Sequence, residues 1–143
     1  MALSVVERIS IGAPAARVWA AIRNFDGLQD WHPAVAASPA DKANAEGSVR
    51  RLSLQGGGAI VVETLQRHDD SGMSYTYIME DGGPLPVAGY RSTIAVSADG
   101  AGSQVEWRGE FSAAPGTADG DATQTMRGVY RGGLESLKGK LEG

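Results

Sequence analysis

The apolar positions of this chain switch between the two-residue period of a strand and the longer period of a helix. Residues 2 to 11 alternate, with β-branched Val5, Ile9 and Ile11, and predict a first strand. In PAARVWAAIRNFDGLQDWHP, residues 14 to 33, apolar side chains recur at Val18, Trp19, Ile22 and Phe25, the spacing of one buried helical face. Pro14 suits the first turn of that helix. Asp26-Gly27 then turns the chain, Leu28 and Trp31 form a second short apolar turn, and Pro33 bars further helix while biasing His32 away from helical geometry. A short edge strand is expected over residues 35 to 38, followed by a polar loop to Gly47. Beyond Gly47 the period is two, broken by turn signals, which predicts an antiparallel meander. From Asp119 to Leu141 the period is helical again, with Ala122, Met126, Val129, Tyr130, Leu134, Leu137 and Leu141 on one face. Acids open this last helix at Asp119 and Asp121, and Lys138 and Lys140 close it, matching the helix dipole.

Hairpin loops fix strand register. A loop over Gln55-Gly56-Gly57-Gly58 sets Leu54 opposite Ala59, Leu52 opposite Val61 and Arg50 opposite Glu63. A loop over His68 to Gly72 sets Arg67 opposite Met73, Leu65 opposite Tyr75, Glu63 opposite Tyr77 and Val61 opposite Met79. Around Asp99 to Gly102, Val96 meets Val105, Ile94 meets Trp107, Ser92 meets Gly109 and Tyr90 meets Phe111. One sheet face thereby becomes too apolar to stay wet, and the C-terminal helix is the only large cover. The pattern predicts an α+β fold: a seven-stranded antiparallel sheet around a long C-terminal helix, with two short helices after the first strand, in a single domain over residues 1–143.

Composition narrows the function. The net charge is −4 and the isoelectric point about 5.1, which argues against nucleic acid or an anionic membrane as partner. The chain contains no cysteine, so disulfides, thiolate nucleophiles and cysteine zinc sites are excluded. Glu7 and Arg8 interrupt the N-terminal apolar run, which is read as neither a signal peptide nor a membrane span, and a cytoplasmic location is expected.

The Pro-x-x-x-Val-Trp helix, NFDGLQDWHP, GSVRRLSL, GGPLPVAGYRSTIAV and VEW, in that order along nearly the whole chain, resemble the polyketide cyclase/dehydrase-like branch of the START or Bet v 1-like superfamily. The resemblance implies a helix-grip fold that encloses an apolar cavity for lipids, hormones or polyketides. More distantly the chain is similar to the plant abscisic acid receptors, through a Gly-rich loop at Gln55 to Gly58 and a second loop at Gly82 to Ala88. That similarity implies a cavity with two mobile lips, with Glu63 as a polar cavity carboxylate and Tyr90 and Ser92 as cavity hydroxyls. It departs from those receptors in Pro84-Leu85-Pro86-Val87 and in lacking a lysine on the strand that would hold a carboxylate.

The ligand-lining set expected on these grounds is Trp31, Arg50, Leu52, Leu54, Glu63, Tyr77, Met79, Leu85, Pro86, Tyr90, Ser92, Trp107, Met126, Val129 and Gly133. Trp31 and His32 have two readings, as core plug and helix cap or as parts of the cavity mouth. Arg50 and Glu63 are either an edge cross-strand pair or an inward polar anchor. Gly133, on the apolar side of the last helix, is expected to leave room for a ligand or a close strand. His68-Asp69-Asp70 reads as a solvent-exposed charged turn. His32 and His68 belong to no metal-binding pattern, no nucleophile elbow occurs, and neither a metal nor a cofactor is expected. Proton transfer by Glu63 with Tyr90 or His32 is the chemistry these residues allow. The expected function is binding or carrying a small, largely apolar or amphipathic molecule. The alternative is a cyclase, dehydratase or aromatase, a partner-binding regulator is a third class, and a homodimer stays open.

Overall fold

The computed structural model describes residues 2–57 and 59–143; Met1 and Gly58, the last residue of the predicted Gln55 to Gly58 loop, lie outside the described residues. Seven antiparallel strands run β1 (Leu3–Ile11), β2 (Val35–Ala37), β3 (Val49–Leu54), β4 (Ile60–Asp69), β5 (Ser74–Asp81), β6 (Val87–Asp99) and β7 (Gly102–Ala113). In space their order is β1-β7-β6-β5-β4-β3-β2, so the first strand closes one edge beside the last. Between β1 and β2 lie α1 (Ala15–Ile22) and a short 3-10 helix (Leu28–Asp30), and α2 (Asp119–Glu142) ends the chain.

Each element follows from its local chemistry. Pro14 stands just before α1, and its carbonyl accepts from the Arg17 and Val18 amides. The helix buries Ala15, Val18, Trp19 and Ile22 but ends at Ile22, so Phe25, expected on the same helical face, is buried from beyond it. Helix α2 buries Ala122, Met126, Tyr130, Gly133, Leu134 and Leu137 and lies across β1 and β7. Three polar contacts tie it there: Arg131 Nη1 to Glu7 Oε1 at 3.1 Å, Lys138 Nζ to the Ser10 carbonyl at 2.7 Å, and the Gly12 amide to Glu142 Oε2 at 2.6 Å. Because α2 leans toward that edge, the β2 to β5 half of the sheet needs another cover. Phe25, Leu28 and Trp31, all buried, supply much of it.

The hairpins at Gly57 and Gly100 keep the predicted register, with Arg50 opposite Glu63 and Ile94 opposite Trp107. The β4–β5 hairpin does not. Its strands pair Asp69 with Ser74 and His68 with Tyr75, and a bulge between Leu65 and Arg67 brings Tyr77 opposite Leu65 and Met79 opposite Glu63. The predicted pairing of Glu63 with Tyr77 is therefore corrected by two residues, and that of Val61 with Met79 is also lost, since a second bulge between Val62 and Glu63 sets Asp81 opposite Val62. An even shift keeps every side chain on its own face, so Glu63 still points inward and is buried.

His68 is also corrected. It lies within β4, one residue before its end, with its side chain only 5% exposed, stacked on Tyr75 at 5.9 Å between ring centroids and donating from Nε2 to the Arg23 carbonyl at 2.7 Å. The turn begins at Asp70, whose Oδ1 accepts from Trp19 Nε1 and Arg23 Nε, both at 2.9 Å, pinning the β4–β5 turn to α1.

Candidate functional site

Where α2 leaves the sheet uncovered, a cavity of about 110 Å³ remains between the 3-10 segment, strands β2 to β7 and the first half of α2. Its apolar wall is Leu28, Ala34, Val35, Leu52, Leu54, Val61, Leu85, Met126 and Val129, and its polar groups come from His32, Arg50, Glu63, Tyr77, Tyr90 and Trp107. Two loops flank it. One follows Leu54, the last residue of β3, and is fastened by the Gln55 amide to the Ala34 carbonyl at 2.9 Å; the other carries Leu85, whose amide donates to the Gly82 carbonyl at 2.9 Å.

The charged pair sits at one side of the cavity. Arg50 donates from Nε to Glu63 Oε1 at 2.9 Å, with Nη2 2.8 Å from the same oxygen in the ion pair, and from Nη1 to the Phe25 carbonyl at 3.0 Å. Its guanidinium carbon lies 4.1 Å from the Phe25 ring centre and 4.7 Å from that of Tyr77, so aromatic faces replace the water the cation gave up. Burial opposes the charge on Arg50, but Glu63 together with the Tyr75 and Tyr77 hydroxyls more than offsets it and raises the guanidinium above its ordinary value. For Glu63, burial pushes the carboxyl up and Arg50 pulls it back only in part. Breaking such a pair leaves a bare buried charge, which is why both members belong to one unit.

Beside it runs a chain of hydroxyls. Ser92 Oγ donates to the Arg108 carbonyl at 2.9 Å and lies 2.9 Å from the Tyr130 hydroxyl, which contacts that of Tyr90; Tyr90 and Tyr77 oxygens are 3.4 Å apart. Trp107 Nε1 donates to Ser92 Oγ at 3.0 Å and to the Tyr77 oxygen at 3.3 Å. Burial lifts the Tyr77 and Tyr90 hydroxyls well above their ordinary value, which keeps them protonated. Tyr130 stacks on Trp107 at 4.4 Å, and Gly109 makes the space for its hydroxyl, since a Cβ there would overlap it.

His32 joins the cavity wall to α2. Its Nε2 donates to the Val129 carbonyl at 2.8 Å and its Nδ1 accepts from the Ala34 amide at 3.2 Å, a pattern that only the neutral ring satisfies. Burial, aided by the nearby Arg50, lowers its proton affinity against the pull of the Val129 bond.

Not every expected lining residue faces the cavity. Trp31 is buried behind it, 5.4 Å from Trp107 and 6.1 Å from His32, as a core plug. Ser92 lies one layer deeper, holding Tyr130 and Trp107. Met79 folds over Gly82 at the end of β5, and Pro86 turns its carbonyl to the Ala114 amide. At Gly133 the close strand holds rather than the ligand: a Cβ there would stand 2.6 Å from His32 Cδ2 and 2.9 Å from Trp107 Cζ3 on β7, so the room it leaves is taken by the protein itself. Sequence reasoning missed Leu28, Ala34, Val35 and Val61, whose apolar character was plain but whose position depends on how the 3-10 segment folds back over β2 and β3.

The model of one protein family matches residues 2–142, almost end to end. The chain belongs to the polyketide cyclase / dehydrase and lipid transport family. Among solved structures it is similar to the protein XoxI from Bacillus cereus, with 29% identity and a TM-score of 0.88 over 97% of this chain and 95% of that one. A putative uncharacterized protein from Bacillus thuringiensis also aligns, with 29% identity and a TM-score of 0.90 over 99% and 100% of the two chains. Ara h 8.0201, at 16% identity and a TM-score of 0.80 over 99% of each chain, shares the Bet v 1-like helix-grip fold. No curated protein matches the chain. Family and fold together support a ligand-binding role in general terms, and among the described residues no helix is long and apolar enough to cross a membrane.

Proposed function

We propose that this protein binds and carries one small, largely apolar molecule with a single polar end, the apolar body against Leu52, Val61, Met126 and Val129 and the polar end at Glu63. The observation that carries this reading is the combination of an apolar wall with one buried carboxylate, of which Arg50 takes only one oxygen. Desolvated groups of that kind are kept where they orient a ligand. A cavity of about 110 Å³ is well below the range of roughly 300 to 1,000 Å³ common for drug-sized ligands. The occupant is therefore about the size of a single ring unless the Leu54 and Leu85 loops part.

A second reading, cyclisation or dehydration of such a molecule, draws on the family description and on the burial that raises Glu63 toward a working general base. The grip of Arg50 on Glu63 works against it, because a base must be free to take its proton.

Native mass spectrometry of protein purified from its own source, with Glu63→Gln beside it, tests both. A carrier retains one small molecule, and the variant binds it more weakly by about 1 to 3 kcal/mol, the value of a charged hydrogen bond. An enzyme instead alters the molecule on incubation, and Glu63→Gln slows that change by a factor of roughly 10² to 10⁴. An empty wild-type protein that also refuses small apolar probes sinks both readings.

A further inference from the structure

We infer that the cavity selects a compact hydroxyl-bearing ligand, a phenol or alcohol, over a carboxylate or an ether of similar size. This rests on the reading of the cavity as a ligand site, and it follows from where the hydrogens of the buried hydroxyl chain must lie.

Only one assignment of those hydrogens satisfies every contact. The Ser92 hydrogen goes to the Arg108 carbonyl, which can only accept. Tyr130 must then donate to Ser92, and Tyr90 must donate to Tyr130. With the Tyr90 hydrogen used, Tyr77 is the donor across the 3.4 Å gap to Tyr90. Trp107 Nε1 donates into the chain at Ser92 and Tyr77 and can accept nothing. All the hydroxyls thus point the same way along the chain, from Tyr77 at the cavity wall toward Ser92.

The two ends differ in strength. At Ser92 the chain terminates in normal 2.9 Å contacts. At the cavity end the Tyr77 hydrogen spans a distance beyond the usual 2.5 to 3.0 Å of an O–H donor, roughly speaking, so it is the one loosely held donor facing the ligand. The Tyr90 oxygen correspondingly has spare accepting capacity. Beside them, both Arg50 contacts fall on Glu63 Oε1, and among the described residues no donor reaches Oε2. The cavity therefore offers one strong acceptor, one weak acceptor and one loose donor.

A ligand hydroxyl matches that set: it donates to Glu63 Oε2 and accepts the Tyr77 hydrogen. An ether or ketone can take the Tyr77 hydrogen but leaves the buried carboxylate oxygen without a donor, which is the expensive outcome for a desolvated charge. A carboxylate is worse. It brings a second anion beside Glu63, whose charge Arg50 has already matched, into a wall of aliphatic side chains. An ammonium would donate to Glu63, yet it adds an unmatched positive charge and has no lone pair for Tyr77.

The test is calorimetric titration of the wild-type protein with phenol, anisole, benzoate and toluene, using the Met126 methyl resonance to confirm that each enters this cavity. Phenol is expected to bind about tenfold or more tightly than anisole or toluene, as one charged hydrogen bond requires, and benzoate to bind most weakly. Glu63→Gln should reduce the phenol preference by a similar factor and relax the exclusion of benzoate. Equal binding of phenol, anisole and toluene, or benzoate binding as tightly as phenol, overturns the inference while leaving the cavity a ligand site. If none of the four shifts Met126, the ligand-site reading falls as well. Should Glu63→Gln fail to fold, the wild-type ranking decides the matter by itself.

Discussion

Arg50 and Glu63 are the residues on which stability and binding meet. A cation held between Phe25 and Tyr77 and bonded to a buried carboxylate cannot lose one partner cheaply. Arg50→Leu is expected to cost about 3 to 5 kcal/mol because it strands Glu63, whereas Arg50→Leu with Glu63→Leu should cost much less than either alone. Urea unfolding midpoints at unchanged slope measure the difference, and equal losses in single and double variants would contradict it. Asp70 makes a pH prediction of definite sign. The hydrogen bond from Arg23, then that from Trp19, holds its carboxyl down to about 2, so its contribution is present above the ordinary 3.8 and is lost as pH falls from there toward about 2. The Trp19 indole N–H resonance should move across that window, and Asp70→Asn should abolish the movement. The pairing of Glu63 with Arg50 was legible in the sequence, but their burial decides for the inward anchor over the edge pair. The burial of His68 was not legible, because His-Asp-Asp has the composition of a turn and only the stacking on Tyr75 shows otherwise.

At the scale of elements, a glycine packed between β7 and α2 behaves unlike one on the exposed side of α2. Gly109 faces the Tyr130 hydroxyl and the Tyr90 ring edge, where a Cβ would stand 2.8 Å from Tyr90 Cε1, while Gly128 has nothing within 4 Å. Gly109→Ala should therefore destabilise by about 1 to 3 kcal/mol through overpacking and disturb the hydroxyl chain. Gly128→Ala should stabilise by up to about 1 kcal/mol through helix propensity alone. Thermal unfolding of the two variants checks the pair, and a shift of the same sign in both would refute the packing account. The extent of α2 was legible because its apolar spacing is long and regular, whereas α1 stops at Ile22, short of the expected Phe25. The β4–β5 register was not legible, since the turn begins at Asp70 rather than His68 and the bulge between Leu65 and Arg67 has no glycine or proline to mark it.

In the whole molecule the sheet has two differently supported halves. Strands β1, β7 and β6 pair along long registers, and β1 and β7 carry α2, whereas β2 is a three-residue edge strand with an irregular register beside the cavity. Local opening is easiest where paired backbone is short and packing is thin. Hydrogen exchange should be slowest in β6 and β7 and fastest in β2 and the Leu54 loop, and an occupied cavity should slow β2 and β3 selectively. Uniform protection across the sheet, or ligand protection confined to β1, would contradict this.

The sequence by itself determined the order and type of the elements, the apolar inner face of the sheet, the long covering helix and the helix-grip architecture, because each depends on periodicity and turn chemistry within a few residues. Tertiary structure decided the rest. That α2 sits against β1 and β7, that His32 and Trp107 occupy the room beside Gly133, and that Leu28, Ala34 and Val35 close the cavity wall are outcomes of packing between segments distant in the chain. The direction of the hydroxyl chain from Tyr77 to Ser92 belongs to the same class. A hydroxyl donates or accepts according to its neighbours, and those neighbours are chosen by the fold, not by the adjoining residues.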